Sequence, residues 1–317
     1  MTQYTLRRRA MLTGLASAAA LASLTRPARA SDTLRISGVP FDVTALPYFG
    51  VQSGIFKKHN IDVEFNTFSA NGAAIAAAVA GGSMDIGVSN IPSLALAHLK
   101  KLPFTLVAGG GLYTSAAPID ALLVANGSSI RDAKDFENKV IGVNGLNNIS
   151  QFGPAAWIEQ NGGDLSKVKF IEVPPAEMVA ALTQGRIDGA CTTEPYLSID
   201  KTVAHVVANC FDAISPRFMI CAFFTTTEWA DAHPELLRRF QTAMRETAKW
   251  TNANHAATGE ILGTLAKLDP KIVRTMVRAE YPETLEPAAL QPIIDVTARY
   301  GKVARFRAEE MIYKPRA

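Results

Sequence analysis

Small polar residues occur at three places where the sequence predicts the start of a helix. They form three groups: Ser69, Asn71 and Gly72; Ser89 and Asn90; and Asn144, Asn147, Ser150 and Gln151. The first N–H groups of a helix lack internal partners and carry a partial positive charge, so converging helix starts can hold an anionic or strongly polar group. The alternative is that these residues only cap their own helices. The pattern favours a site that binds a small molecule.

Strands and helices alternate around these three groups, which indicates an α/β fold. Alternating or apolar segments predict strands at residues 33–39, 61–65, 86–88, 104–108, 119–125, 140–143, 169–173 and 218–225. Helical periodicity predicts helices at residues 48–58, 129–136, 152–160, 175–183, 234–252, 260–268, 271–277 and 287–300. The three glycines at residues 109–111 predict a flexible break. In open α/β sheets the ligand lies at the carboxyl ends of the strands, where the polar groups fall.

Two segments of the chain share one design. Residues 81–90 and 184–194 each contain a glycine stop, an aspartate, an apolar strand and a polar exit. This repetition predicts two facing lobes, joined by two crossovers that form a hinge and allow closure on a ligand. The predicted boundaries are residues 31–115 with 219–317 for lobe 1, residues 119–213 for lobe 2, and residues 114–118 and 214–218 for the crossovers. The helical tail is expected to cover lobe 1.

The first 30 residues have the features of an export signal. An arginine cluster precedes an apolar run that ends at Leu24, and Ala28 and Ala30 supply a small-residue cleavage pattern before Ser31. Arg8 and Arg9, followed by Leu12, resemble the twin-arginine motif. We therefore expect cleavage after Ala30 and a periplasmic location, with the general secretory route as the alternative.

Removal of this signal changes the charge balance. The full chain has a formal net charge of +3, and the signal contains five arginines and no acidic residue. The remaining chain is slightly acidic and has no basic cluster, which argues against nucleic-acid binding. No later segment is long and apolar enough for a membrane span, so we expect only peripheral docking at the membrane.

The residue types that carry catalysis are scattered. No histidine stands at metal-ligand spacing from a cysteine or carboxylate, and neither a Gly-x-Ser-x-Gly elbow nor a phosphate-binding Gly-x-x-x-x-Gly-Lys loop occurs. Cys191, Cys210 and Cys221 are interpreted as buried apolar residues, with one disulfide as the alternative. We expect no catalytic residue, no metal and no cofactor.

The chain resembles the substrate-binding proteins of ABC-type importers, in the group that takes aliphatic sulfonates, taurine, nitrate and thiamine pyrimidine precursors. The matching segments occur in family order and are residues 45–48, 54–64, 82–87, 131–135, 185–190 and 193–196. The resemblance implies a two-lobed periplasmic binding protein fold of type II, each lobe a mostly parallel sheet flanked by helices. It also implies a monomer that captures a small molecule and delivers it to an importer permease with its ATPase.

By position, the resemblance implies a set of ligand contacts. They are Phe41, Asp42, Ser69, Asn71, Gly72, Ser89, Asn90, Asn144, Asn147, Ser150, Gln151, Thr193, Glu194, Arg217 and Phe218. Asp42 and Glu194 would favour an amine or aminopyrimidine donor, because an unpaired buried charge is costly. Arg217 would pair with an anion. The alternative is that Asp42 caps a turn, Glu194 binds hinge backbone and Arg217 is solvated.

One feature departs from the family, since Thr192 and Thr193 stand where a large aromatic residue is common. Two other classes of protein share the architecture. A pyrimidine-precursor synthase on this fold uses a cysteine-rich iron-binding motif, which the sequence lacks. A ligand-sensing effector protein would need an N-terminal DNA-binding module in place of the export signal.

Overall fold

The computed structural model of the protein describes residues 32–67 and 72–315. The strands of this part are β1 (Asp32–Gly38), β2 (Ile61–Thr67), β3 (Gly87–Asn90), β4 (Phe104–Gly109), β5 (Leu112–Thr114), β6 (Asp120–Ala125), β7 (Val140–Val143), β8 (Lys169–Glu172), β9 (Gly189–Thr193), β10 (Ala204–Ala208), β11 (Arg217–Met219) and β12 (Cys221–Thr226). The α-helices are α1 (Leu46–Gln52), α2 (Ile55–Lys58), α3 (Gly72–Ala80), α4 (Ile91–Leu99), α5 (Ile149–Gln160), α6 (Pro175–Thr183), α7 (Tyr196–Asp200), α8 (Thr227–Ala232), α9 (Pro234–Ala253), α10 (His255–Ala266), α11 (Pro270–Thr275) and α12 (Pro287–Tyr300). Across these described residues, no helix has both the length and the apolar character that a membrane crossing requires.

Two sets of five strands have the same order and the same directions. The first runs β2–β1–β3–β12–β4, with a bridge between Ile36 and Ile86 that sets β1 beside β3. The second runs β8–β7–β9–β6–β10. In each set the first two pairings are parallel and the last two are antiparallel. The predicted α/β fold is confirmed, and both sheets are mixed because β6 and β12, which each follow a crossover, run against their neighbours.

The chain passes between the two sheets through β5 and returns through β11. These strands pair antiparallel, with Tyr113 opposite Phe218. The Tyr113 ring lies 5.3 Å from that of Phe218 and 5.5 Å from that of Phe211, and its hydroxyl donates to Asp212 at 2.8 Å. The predicted crossovers therefore include a two-stranded ribbon packed by aromatic rings.

The C-terminal helices lie mainly against elements of the first sheet. Helix α9 packs on α1 and β4, and α12 packs on α4. Helix α12 also reaches α5, which follows a strand of the second sheet. There the Arg299 guanidinium and the Tyr300 hydroxyl donate to Glu159 at 2.7 and 2.6 Å. The tail thus contacts both sets of elements, whereas the sequence predicted contact with the first alone.

Local structure differs from the prediction in several segments, and the strand predicted at residues 218–225 is β11 and β12. The helix predicted at residues 48–58 is two helices, because Gly54 has a φ of 77° and interrupts the helical path. Residues 129–136 form only a 3₁₀ turn at Lys134–Phe136. Residues 109–111 are not a flexible break, since Gly111 N–H donates to Val43 O at 2.8 Å and a Cβ atom on Gly111 would lie 2.7 Å from Val43 Cβ.

Candidate ligand-binding site

Most of the predicted ligand contacts lie where parallel strands end. Residues 41–42 follow β1, residues 89–90 end β3, residues 144–151 follow β7, and residues 193–194 fall at the end of β9. Open α/β folds bind ligands at this edge. The fold therefore brings these segments to the edges of the two sheets at which a ligand is expected.

The start of α3 lies directly against β3. A Cβ atom added to Gly72 would overlap the Ser89 hydroxyl, so these two predicted contacts are adjacent. Ser89 is 6% exposed, and its hydroxyl has no hydrogen-bond partner among the described residues. A buried polar group without a partner costs about 1–3 kcal/mol, so Ser89 has unused capacity to bind a polar group. Ser69 and Asn71 lie outside the described residues.

Two asparagines cap the helices that begin at this edge. Asn90 Oδ1 accepts from the Ser93 N–H at 3.0 Å, and Asn148 Oδ1 accepts from the Ser150 N–H at 2.9 Å. For Asn90 this is the capping role considered as the alternative from the sequence. Helix α5 begins at Ile149, three residues before its predicted start. The missed cap had a sequence signal, because asparagine immediately before an apolar residue is typical of a helix N-terminus.

The polar turn before α5 is a network of its own side chains. Asn144 Oδ1 accepts from Asn148 Nδ2 at 2.8 Å and lies 2.7 Å from Ser150 Oγ. Ser150 Oγ also accepts from the Asn144 N–H at 3.2 Å. The Asn147 N–H donates to Gln151 Oε1 at 2.7 Å, and Asn147 has a φ of 55°. These side chains fix the shape of the turn in this structure.

The Asp42 carboxylate is hydrogen-bonded by other residues of the protein. It is completely buried, and its carboxylate accepts from the Arg278 guanidinium at 2.8 and 2.9 Å and from the Ala279 N–H at 2.7 Å. The Tyr281 hydroxyl donates to the Asp42 carbonyl oxygen. The carboxylate is therefore neutralised from the C-terminal part of the chain, and it neither caps the following turn nor remains free for a ligand in this structure.

Glu194 is also engaged. It is 1% exposed and accepts from the Ser198 N–H at 3.0 Å, the Ser198 hydroxyl at 2.8 Å and the Val277 N–H at 3.3 Å. Burial raises the pKa of Glu194, while the Ser198 and Val277 donors act in the opposite direction. Its neighbour Thr193 donates to the Ile119 carbonyl at 3.3 Å. Glu194 thus binds backbone of the C-terminal part of the chain.

The return crossover places its two candidates differently. Arg217 is exposed and pairs with Glu280 at 3.0 Å. Phe218 is completely buried against Tyr113 and Phe211, where a ligand has no access to its ring in this conformation. Asp42, Glu194 and Arg217 thus all contact one five-residue segment, residues 277–281, which no sequence pattern had indicated.

An aromatic contact joins the segments that follow β1 and β9. The Phe41 ring, which follows β1, meets the Tyr196 ring, which follows β9, edge to face with centroids 5.8 Å apart. Both residues are partly exposed. Phe41 therefore lies partly exposed at the strand-end edge, and its contact with a ligand stays a prediction.

Sequence reasoning missed Asp120, the first residue of β6. Asp120 is 6% exposed, and its Oδ2 has no hydrogen-bond partner among the described residues. Burial, together with the nearby Glu194 charge, raises its pKa to about 7, and the Thr193 hydroxyl opposes this shift. An aspartate inside the apolar run from Ile119 to Ala125 was the signal that could have identified it.

The three cysteines are buried as free thiols, and Cys191 Sγ lies 4.0 Å from Cys210 Sγ. In the described part of the chain no group of three or more His, Cys, Asp or Glu side chains could hold a metal ion. Two surface cavities are present. One of about 160 Å³ is lined by Val107, Gln241 and Met244 among others, and one of about 370 Å³ by Tyr48, Trp250 and Ile261 among others.

Comparison with known proteins identifies related chains. A family model described as NMT1/THI5 like matches residues 43–257. A Bacillus subtilis protein assigned as an aliphatic sulfonates-binding protein is 25% identical over 176 residues, which cover 54% of this chain and 52% of the relative. The bicarbonate-binding protein CmpA of a Synechococcus species is 25% identical over 254 residues, covering 73% of this chain and 56% of the relative. The chain spans about half the length of these curated relatives.

A solved structure shows the same fold. The periplasmic aliphatic sulphonate binding protein SsuA from Escherichia coli superposes with a TM-score of 0.74 at 15% identity, over 90% of this chain and 93% of that one. The chain therefore has the fold of a periplasmic binding protein. The curated relatives are named as binding proteins rather than enzymes.

Proposed function

Because the chain belongs to the NMT1/THI5-like family, we propose that it is an extracytoplasmic solute receptor without catalytic activity. It captures a small polar or anionic organic molecule and delivers it to an ABC-type importer. The names of the relatives support this proposal, since they bind sulfonates or bicarbonate.

One observation carries the proposal. Loops from two sheets of identical order, joined by two crossovers, place polar residues at the carboxyl ends of β1, β3, β7 and β9. We propose that residues 31–115 with 219–317 form one lobe and residues 119–213 the other, and that the crossovers act as a hinge. Lobes of this kind close around a ligand.

The proposed site binds mainly through neutral groups. Asp42, Glu194 and Arg217 have partners within the protein. Asn90, Asn148 and the Ile220 carbonyl already accept from amides at the starts of α4 and α5, which leaves hydroxyls such as that of Ser89 and the partial positive charge of the helix starts. Helix-start amides attract negative charge, and hydroxyls accept or donate. A ligand with a small anionic or strongly polar end fits these groups.

Ligand binding can be tested by thermal shift with sulfonates, taurine, nitrate, bicarbonate and aminopyrimidines. A true ligand at a hundredfold excess over Kd should stabilise the protein by about 2.7 kcal/mol. We expect Ser150→Ala to weaken binding of that ligand about 5- to 10-fold, because it removes a hydroxyl that orders the turn before α5.

Ser166→Ala is the matched control. Ser166 Oγ also donates to a neighbouring side chain in a turn, at 2.6 Å to Asp164, but it lies before β8 rather than after a strand. The Ser166→Ala variant should bind the ligand with the affinity of the wild type. Equal affinities for all three proteins would show that the turn before α5 does not contact the ligand.

The proposed partners are an importer permease with its ATPase, and the proposed location is the periplasm. We expect the exported protein to begin at Ser31, which intact-mass measurement of the periplasmic fraction can establish. Replacing both Arg8 and Arg9 by lysine should retain the precursor in the cytoplasm. Normal export of this variant would exclude the twin-arginine route, whereas a mature protein that still begins at Met1 would exclude the signal itself.

A further inference from the structure

Asp120 lies where a crossover enters the second sheet. It is the first residue of β6, and the register pairs it with Thr193 of β9. The adjacent Glu194 N–H donates to Ile119 O at 2.9 Å. Asp120 therefore occupies the same strand-end edge as two of the predicted ligand contacts. Strand alternation puts its side chain on the same face as that of Thr193.

The surroundings of Asp120 also include elements of the first sheet. Burial raises the pKa of Cys221 to about 12, and the Asp120 charge contributes to that shift. Cys221 pairs with Asn90 in the register between β12 and β3, and its thiol donates to Val43 O at 3.2 Å. The charge of Asp120 therefore acts on Cys221, which pairs with the end of β3 and contacts the segment after β1.

The protein leaves part of this carboxyl group without a partner. Among the described residues, no lysine or arginine pairs with Asp120, and its Oδ2 receives no hydrogen bond. Arg278 pairs with Asp42, and Arg217 pairs with Glu280. Ser89, at the end of β3, is a second buried polar side chain without a partner. A buried carboxyl oxygen without a partner, at the edge where open α/β folds bind ligands, indicates a place for a hydrogen-bond donor.

We propose that Asp120 is a ligand-recognition residue, which accepts a hydrogen bond from an N–H group of a bound amine or amino-heterocycle. This inference rests on the proposed receptor function and specifies the ligand chemistry of that site. A nitrogen donor satisfies the unpartnered oxygen and favours the ionised carboxylate, whereas an oxyanion at the same position would repel it.

The titratable groups that face Asp120 are Glu194, Tyr113, Cys191 and Cys221. Because the free carboxyl has a pKa of about 7, it is mostly protonated at pH 6. Binding of an N–H donor should then ionise it, and the proton passes to the buffer. We expect release of up to about one proton per ligand at pH 6, measured by isothermal titration calorimetry in buffers of different ionisation enthalpy.

The probes are two matched pairs, taurine with ethanesulfonate and 4-aminopyrimidine with 4-methylpyrimidine. We expect an amino member to bind at least tenfold more tightly than its counterpart. Asp120→Asn, which keeps the shape of the side chain, should weaken that binding about 10- to 100-fold and abolish proton release. Thermal unfolding of the variant will verify that it folds.

Asp200→Asn is the control. Asp200 is also buried with an unpartnered Oδ2, but it lies beside Thr192, on the opposite face of β9 from Thr193. The Asp200→Asn variant should bind the amino probes with the affinity of the wild type and release the same number of protons. If the wild type binds ethanesulfonate tightly and Asp120→Asn binds it with the same affinity, Asp120 does not recognise the ligand. The proposed receptor function would still hold. Absence of binding by all four probes would overturn the inference, while binding of another solute from the wider panel would preserve the proposed function.

Discussion

Replacing Arg278 by alanine should lower the free energy of unfolding by about 3–5 kcal/mol. Asp42 is completely buried and holds Arg278 through two hydrogen bonds of 2.8 and 2.9 Å, and the Arg278 side chain itself is 8% exposed. Removal of the guanidinium leaves a buried carboxylate with neutral donors only. An uncompensated buried charge is among the most destabilising changes that a single substitution produces.

Urea or thermal unfolding at pH 7 measures this effect, and Arg217→Ala is the matched control. Arg217 also pairs with a carboxylate, that of Glu280, but both side chains are about half exposed. Solvent screens such a pair, so its loss should cost no more than about 1 kcal/mol. Similar losses in the two variants would contradict the structural role assigned to the Asp42–Arg278 pair.

Asp120→Asn and Asp200→Asn should stabilise the protein at pH 8 and change its stability little near pH 4. Burial is the first cause that raises the pKa of Asp120 to about 7 and that of Asp200 to about 6. Between pH 4 and these pKa values, the folded protein keeps protons on the two aspartates that the unfolded chain loses. The free energy of unfolding of the wild type therefore falls as pH rises. By linkage the difference approaches about 4 kcal/mol for Asp120 and about 3 kcal/mol for Asp200.

Denaturant unfolding of each variant and the wild type at pH 4, 6 and 8 gives these differences. Glu246→Gln supplies a control of opposite sign. Hydrogen bonds from Lys58 and His59 lower the pKa of Glu246, so this variant should be less stable than the wild type at pH 7 and lose that deficit as pH falls below the ordinary range of a glutamate. Parallel pH profiles for wild type and both Asn variants would mean that the two aspartates are ionised in the folded protein.

The sequence by itself determined the local elements and the positions of the polar turns. Helices α6 and α12 have the predicted bounds, because Pro at the first helical position and a regular apolar period are local signals. Asn90 was identified at a helix start because small polar residues favour that position, and its side chain caps α4. The resemblance also gave the correct family, since its short motifs lie in order along the chain.

Only the tertiary structure decided which charges are used internally. Asp42 and Arg278 are 236 residues apart, and Glu194 and Val277 are 83 apart. No periodicity or spacing relates residues so distant, because their contact depends on how the C-terminal helices pack. The direction of β6 and β12, and therefore the position of Asp120 at the strand ends, was fixed in the same way. A buried carboxylate is recognisable from sequence as an exception in an apolar run, but its partners follow from packing alone.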